Sequence, residues 1–277
     1  MEIAVADKAG ACYGVNRALD MALAAAEAGA QPVQTLGPLI HNPRVVADLA
    51  ANGVAEASSL DCIAAGTVVI RSHGTAPQVI DAAHAKGLDV VDATCPFVSK
   101  VQQTARTLGQ EGKGVVIVGD AGHAEVEGIR AWGGDAVVAV VTRPEDLPSD
   151  LPADIGVVVQ TTQSEDRFNS IVAALTERGC SVDAHKTICL ATKQRQESAV
   201  RLSQQVDCMV VIGGRNSGNT RRLAELCSAA CATHHIESEH EIEPSWFTGC
   251  AKVGVTAGAS TPQAHIDAVI AVLERLA

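Results

Sequence analysis

Nine cysteines stand in a chain of 277 residues, and three of them share a local setting. Cys12 lies in Ala9-Gly10-Ala11-Cys12-Tyr13-Gly14, Cys95 in Asp92-Ala93-Thr94-Cys95-Pro96, and Cys189 in Lys186-Thr187-Ile188-Cys189. Each precedes a stretch with helical signals, over 14–27, 96–108 and 191–205, and Pro96 suits a first helical position. A cysteine at a helix N-terminus feels the positive end of the helix dipole. That favours thiolate, the form that binds metals and attacks electrophiles. The three lie about a third of the chain apart, as three related units with one cysteine each would place them. On spacing alone, coincidence among nine cysteines is an equal reading. Cys62, Cys180, Cys208, Cys227, Cys231 and Cys250 read as small buried hydrophobes. No C-x-x-C occurs, so local spacing identifies neither a zinc nor a cluster site.

The stretch from Gly213 to Thr220 nearly matches a phosphate-binding loop, but Asn219 stands where the lysine belongs. Its backbone N–H groups and neutral side chains can still cradle phosphate at a helix N-terminus. A plain turn with a Ser or Asn cap is the competing reading. His41, His73 and His123 each sit in a Gly-containing loop, in Leu36 to Pro43, Arg71 to Gly74 and Gly122 to Gly128. One such histidine is usually a cap or surface group; three at strand-to-helix turns suggest a polar pocket. Glu125 is a candidate proton donor, or a carboxylate answering a helix dipole. His84, His185, His234, His235, His240 and His265 lack such loops and read as surface residues.

These residues need elements to hold them. Short β-branched runs recur before small or polar loops: Val68 to Ile70, Val115 to Val118, Val157 to Val159, Met209 to Ile212 and Val253 to Val255. A helical stretch follows each. Strands alternating with helices predict a parallel α/β architecture, whose ligands bind at the carboxyl ends of the strands. The composition is 47% hydrophobic but only 2% aromatic, so the core must be aliphatic and no base-stacking surface is expected. A net charge of −11 also argues against nucleic-acid binding. No apolar run is long enough for a membrane span, and residues 1–13 lack signal-peptide character, so a cytoplasmic location is expected.

Together the motifs resemble the 4-hydroxy-3-methylbut-2-enyl diphosphate reductase family. The matching segments run in family order: Ala9 to Ala18, Leu36 to Val46, Arg71 to Gly74, Asp92 to Lys100, Gly122 to Gly128, Gln160 to Ser164, Thr187 to Gln196, Gly213 to Leu226 and Gly254 to Pro262. The resemblance implies three related α/β domains with small parallel sheets, in a pseudo-threefold trefoil around a central iron–sulfur cluster. The domains would span 13–95, 96–187 and 188–277, the last joined by 1–12. Cys12, Cys95 and Cys189 would ligate a [4Fe–4S] cluster with one open iron. His41, His73, His123, Ser217, Gly218, Asn219 and Ser260 would hold the diphosphate. Glu125, Thr161 and His123 would serve catalysis beside the substrate hydroxyl, with Thr161 also contacting substrate. The implied activity is an oxidoreductase of the non-mevalonate isoprenoid pathway, yielding isopentenyl and dimethylallyl diphosphate. Its electrons would come from ferredoxin or flavodoxin, and a basic patch at Arg215, Arg221 and Arg222 is a candidate dock. Ala124 replaces a commoner proline, and Gly218 a commoner serine.

Two rival classes stand beside this one. A redox-silent cluster hydratase or dehydratase would need no reductant. A non-catalytic phosphate-binding module with a structural metal should offer a closed four-ligand site. Neither rival, nor the main reading, uses the loop at 213–220 as a nucleotide motor, because the charge that would reach terminal phosphates is missing. Magnesium-dependent ATP hydrolysis should therefore be undetectable in a coupled assay. Hydrolysis that disappears with Thr220→Ala would refute this reading of the loop.

Overall fold

A computed structural model describes residues 1–28 and 32–276. Ala277, the end of the last expected domain, lies outside the described residues. In chain order the elements begin with β1 (Glu2–Val5), α1 (Tyr13–Glu27), β2 (Val33–Leu36), α2 (Pro43–Ala51), β3 (Val54–Ala57), β4 (Thr67–Ile70), α3 (Pro77–Ala85) and β5 (Asp89–Asp92). The middle of the chain forms α4 (Pro96–Gln110), β6 (Gly114–Val118), α5 (Ala124–Gly133), β7 (Val137–Val141), β8 (Asp154–Val159), α6 (Glu165–Glu177) and β9 (Ser181–His185). Then come α7 (Leu190–Ser203), β10 (Cys208–Ile212), α8 (Gly218–Ser228), β11 (Ala232–Ile236), β12 (Lys252–Ala257) and α9 (Gln263–Leu276). The expected parallel α/β class is what forms. The five predicted strands appear as β4, β6, β8, β10 and β12. The helices expected after the three cysteines start at Tyr13, Pro96 and Leu190.

Among the described residues the strands make three four-stranded parallel sheets with one strand order. The orders are β3-β2-β4-β5, β7-β6-β8-β9 and, with the N-terminal strand completing it, β11-β10-β12-β1. The chain divides into two compact units. One comprises Met1–Asn16, Ile40–Asp48 and the chain from Leu190 onward, and holds the β1 sheet. The other comprises Arg17–Leu39 and Leu49–Cys189, and holds the remaining two sheets.

The central strands β6 and β10 are buried at every position because helices cover both faces of a parallel sheet. In β6 and β8 the period of two is still visible. Val116, Val118, Val157 and Val159 face α6 through Phe168, Ile171 and Leu175. Val115, Ile117 and Val158 face α4 and α5 through Val101, Ala105, Leu108 and Ile129. Gly156 makes the seat for Leu108: a Cβ there would come within 2.7 Å of a Leu108 methyl.

Three sequence expectations need correction. His265 is 6% exposed on α9, with Nε2 3.9 Å from Asp48, because its helical position faces the core and not solvent. His235 is partly buried, its Nε2 2.8 Å from the Gly213 carbonyl. Cys62 is exposed on a short turn after β3, and the Ser59 and Ser58 hydroxyls at its Sγ hold its thiol below the ordinary range. Of the other five cysteines read as buried, Cys208 and Cys227 are, with burial pushing both thiols up to about 12, while Cys180, Cys231 and Cys250 are only half-buried. Among the described residues, no helix is long and apolar enough to cross a membrane.

Because Leu108 fills the glycine seat on β8, Leu108→Ala should cost roughly 2–5 kcal/mol of unfolding free energy, the usual range for a buried leucine. Urea denaturation measures it. A loss below about 1 kcal/mol would mean that α4 is not anchored there.

Candidate functional site

In the first unit, the loops after β1, β12 and β10 leave the same edge of one sheet. The loop after β12 is tied to both neighbours. Gly258 N and the Thr261 hydroxyl donate to the Ile212 carbonyl at 2.8 and 3.1 Å. Cys12 N donates to the Ala259 carbonyl at 3.1 Å. Ser260 lies between these ties, 6% exposed, and its hydroxyl donates to the His41 carbonyl at 3.4 Å. Asn42, 4% exposed, donates from Nδ2 to the Ser260 carbonyl at 2.8 Å, while its Oδ1 accepts from Val45 N and caps α2. That bond fixes His41 beside the loop. Gly214 approaches from the other side, where a Cβ would come within 2.4 Å of the His41 carbonyl oxygen; only glycine fits.

Ser217 caps α8, its Oγ accepting from Thr220 N at 3.3 Å, so the capping reading of this loop is realised. Capping uses a hydroxyl lone pair and leaves the O–H able to donate. Gly218 is the first residue of α8 and adds a backbone N–H at the helix start. Asn219 is 4% exposed, and among the described residues neither atom of its side-chain amide has a partner. A buried amide without partners costs on the order of 1–3 kcal/mol and fits a position that a polar ligand completes. This loop is therefore an ordinary cap that keeps a hydroxyl, a backbone N–H and an amide available as donors.

In the second unit, β4 ends in Arg71-Ser72-His73-Gly74. Gly74 turns the chain at φ 73°, and Ser72 anchors to the Leu39 carbonyl through N–H and hydroxyl. The Ser72 carbonyl accepts from Cys95 N at 3.0 Å, and Cys95 N-caps α4. His123 caps α5, its Nδ1 accepting from Glu125 N at 3.1 Å. In the neutral ring that bond leaves Nε2 carrying the proton. The His73 and His123 rings meet edge to face at 5.6 Å.

Glu125 is 2% exposed, and Thr161 grips its carboxyl with two donors. Thr161 N donates to Oε1 at 2.7 Å, and the Thr161 hydroxyl to Oε2 at 2.9 Å. Burial raises the Glu125 pKa to about 7, outweighing the two Thr161 bonds that pull it down. The Thr161 carbonyl in turn accepts from Cys189 N at 3.0 Å. The acid and one of the three cysteines are thus one residue apart through the backbone. Gln160 and Gln163 brace the turn: Gln160 Oε1 accepts from Asp120 N at 3.0 Å, and Gln163 Nε2 donates to Asp120 Oδ1 at 3.1 Å.

Cys12, Cys95 and Cys189 are all half-buried, each at the start of a helix. Arg215 and Arg222, expected in a basic docking patch, are paired with Glu241 and Glu225, which cancels much of their charge. Two positioning residues escaped the sequence reading. Asn42 carried a weak signal, an Asn before a helix-starting proline. Arg195 carried none: a mid-helix arginine reads as solvent-facing, yet it is 5% exposed and donates to the Gly10 carbonyl at 2.7 Å, bracing the Cys12 loop.

The family model described as LytB protein matches residues 3–274. The 4-hydroxy-3-methylbut-2-enyl diphosphate reductase of Pelobacter propionicus is 49% identical over 271 residues, covering 98% of this chain and 96% of the relative. That of Trichlorobacter lovleyi is 48% identical over 277 residues, covering 100% and 99%. A solved (E)-4-hydroxy-3-methyl-but-2-enyl diphosphate reductase, described as the terminal enzyme of the non-mevalonate pathway, matches with TM-score 0.73 and 41% identity, over 99% of this chain and all of that one. The Plasmodium falciparum E-1-hydroxy-2-methyl-but-2-enyl-4-diphosphate reductase matches with TM-score 0.90 at 23% identity, over 98% of this chain and 87% of that one, a likeness of fold. By sequence along nearly its whole length, and by fold, this chain belongs to the LytB protein family.

Proposed function

We propose that this chain reductively removes the hydroxyl group of 4-hydroxy-3-methylbut-2-enyl diphosphate, giving isopentenyl and dimethylallyl diphosphate. The observation that carries this reading is Glu125, a fully buried carboxyl with its pKa near neutrality, bonded to Thr161, whose carbonyl in turn accepts from Cys189 N. The reaction breaks a C–O bond, consumes two electrons and two protons, and releases water. A buried acid with pKa about 7 is protonated often enough at neutral pH to give a proton and basic enough to be refilled.

In this proposal Cys12, Cys95 and Cys189 hold a [4Fe–4S] cluster with one iron free of protein ligands. Their fit rests on their setting: half-buried thiols, each at the start of a helix and each held by its own backbone amide to a neighbouring strand loop, unlike the deeply buried Cys208 and Cys227. When bound, such a cluster would supply single electrons and a Lewis-acid iron for the alcohol oxygen. The domains around it would be 13–95, 96–187 and 188–277 with 1–12.

The chain's own residues do the rest. His41, His73 and His123 present ring N–H groups to the diphosphate, with His123 held by its cap in the Nε2–H form. Ser217, Gly218, Asn219 and Ser260 add neutral donors at the sheet edge. Substrate oxygens would accept from the Asn219 Nδ2 group. When Glu125 is protonated its O–H donates to Thr161 Oγ1, the reverse of the bond made to the carboxylate, and the freed Thr161 O–H turns to pass its proton toward the departing hydroxyl while Glu125 refills it. The second proton reaches carbon at either end of the allylic system, which yields the two products. Ferredoxin or flavodoxin is the proposed electron source, in a reducing cytoplasm that keeps the nine thiols free.

Anaerobically purified protein with reduced methyl viologen should convert the substrate. Glu125→Gln should lower turnover by about 10²-fold or more, the scale of a positioned acid. Serine at Cys12, Cys95 or Cys189 should abolish activity and colour, while Cys62→Ser and Cys250→Ser should keep both. Turnover without reductant would assign a dehydratase; a colourless protein with tightly bound zinc and no turnover would assign a structural module.

The raised Glu125 pKa also has a stability consequence with a definite sign. The fold binds this proton more tightly than the unfolded chain does, so Glu125 supports the fold at low pH. That support is lost as pH rises from about 4.5 through about 7. Glu125→Gln removes the loss. Relative to wild type, the variant should gain stability between pH 5 and pH 8 by on the order of 3 kcal/mol at most, from 1.36 kcal/mol per unit. Denaturant titrations of both proteins at the two pH values measure it. A wild-type-to-variant difference independent of pH would show that the carboxyl is ionised throughout.

A further inference from the structure

The buried face of α7 is mostly polar. Its buried residues are Thr192, Arg195, Ser198, Ala199 and Ser203, and none of those before Ala199 is apolar. The apolar cluster that α7 joins takes Ala199 and Leu202 from it, both in its second half. Arg195 stands in the first half. It is 5% exposed, and burying a guanidinium is costly unless its donors are used. Nη1 donates to the Ala191 carbonyl at 3.2 Å, and Nη2 to the Gly10 carbonyl at 2.7 Å. The fork thus joins the first turn of α7 to the loop that carries Cys12.

Around Gly10 and Cys12 that loop is also tied to the end of β12 and the chain just beyond it. Gly10 N donates to the Ala257 carbonyl at 3.3 Å, and Cys12 N to the Ala259 carbonyl at 3.1 Å. Both are neutral backbone bonds. The Arg195 bond is shorter and charge-assisted, which makes it roughly twice as strong as a neutral one. All of these residues lie in the first compact unit.

We propose that Arg195 is a positioning residue for Cys12: its fork holds the Cys12 loop to α7, and retention of bound iron depends on that tie more than the fold does. This rests on Cys12 being a cluster ligand, as proposed above. A thiolate parts from iron when its loop moves away, so a tie on the loop slows the local opening through which iron is lost. Lysine is a poor substitute. Its ammonium is a point charge on a flexible stem, without the planar fork that reaches two carbonyls at once.

The test uses anaerobically purified holoenzyme and three variants. Arg195→Met removes both bonds and keeps an apolar stem. Arg195→Lys keeps the charge but not the fork. Leu223→Ala, in the apolar core of the same unit, is a control for general destabilisation. Iron release to bathophenanthroline disulfonate, hydrogen exchange of the amides of residues 10–12 and urea unfolding are measured on each. Arg195→Met should speed iron release and amide exchange by about tenfold or more, as loss of one charge-assisted bond implies. Arg195→Lys should fall between it and wild type. Leu223→Ala should lower the urea midpoint at least as far, yet leave iron release within about twofold of wild type, because it touches neither the loop nor the fork. Release at the wild-type rate in Arg195→Lys would overturn the proposal, since the fork would not then be what holds the loop. Equal acceleration in Leu223→Ala would also overturn it, by reducing Arg195 to a general stabiliser. Wild-type protein that holds no iron would overturn the proposed function instead, and amide exchange at residues 10–12 would still decide whether Arg195 holds the loop.

Discussion

One backbone hydrogen bond, made three times, organises this protein. In each sheet the strand bearing the cysteine lies at an edge, and the cysteine's amide donates to the loop leaving the neighbouring strand. Cys12 N bonds the Ala259 carbonyl, Cys95 N that of Ser72, and Cys189 N that of Thr161, at 3.0 to 3.1 Å. Each bond locks a cysteine against the loop that carries a polar site residue: Ser260, His73 and Thr161 itself. Parallel pairing makes this possible, because both strands end on the same side. A buried backbone donor must find a partner, and here that requirement places the thiol.

The polar residues that remain are held by opposing demands on burial. Burial pushes the Glu125 carboxyl up to about 7, while two Thr161 donors pull it the other way. His123 contributes in the same economy of groups. Its Nδ1 caps a helix, and the cap decides which nitrogen is left to donate. Ser217 Oγ likewise caps a helix and keeps its O–H able to donate. In these cases a local backbone need fixes the orientation of a side chain and decides which of its atoms is left to donate. Asn219 is the exception, a buried amide that nothing else in the described chain satisfies. Such an amide costs on the order of 1–3 kcal/mol unless a polar partner meets it.

Much of this was legible in the sequence. β-branched runs before small-residue loops announced the parallel sheets. Helix signals after Cys12, Cys95 and Cys189 marked their setting, since proline and dipole arguments act within a few residues. The loop histidines, Glu125 and the lysine-free loop at 213–220 stood out by residue type alone. What depends on side-chain neighbours far along the chain was not legible. The Glu125–Thr161 grip joins residues from different strand ends, and nothing local to either reveals the burial that raises the pKa. Arg195 looked solvent-facing until a loop from the N-terminus closed over it. His265 was misjudged because an isolated histidine at helical spacing does not say which face is covered. Cys62 was misjudged for the converse reason: composition favours burial of cysteine, but a surface turn exposed it. Sequence by itself determined which residue types stand at the strand ends, because secondary structure follows short-range periodicity and capping. Only tertiary structure decided which of them meet, how deeply they are buried and what their protons do, because those properties are set by packing between segments distant in the chain.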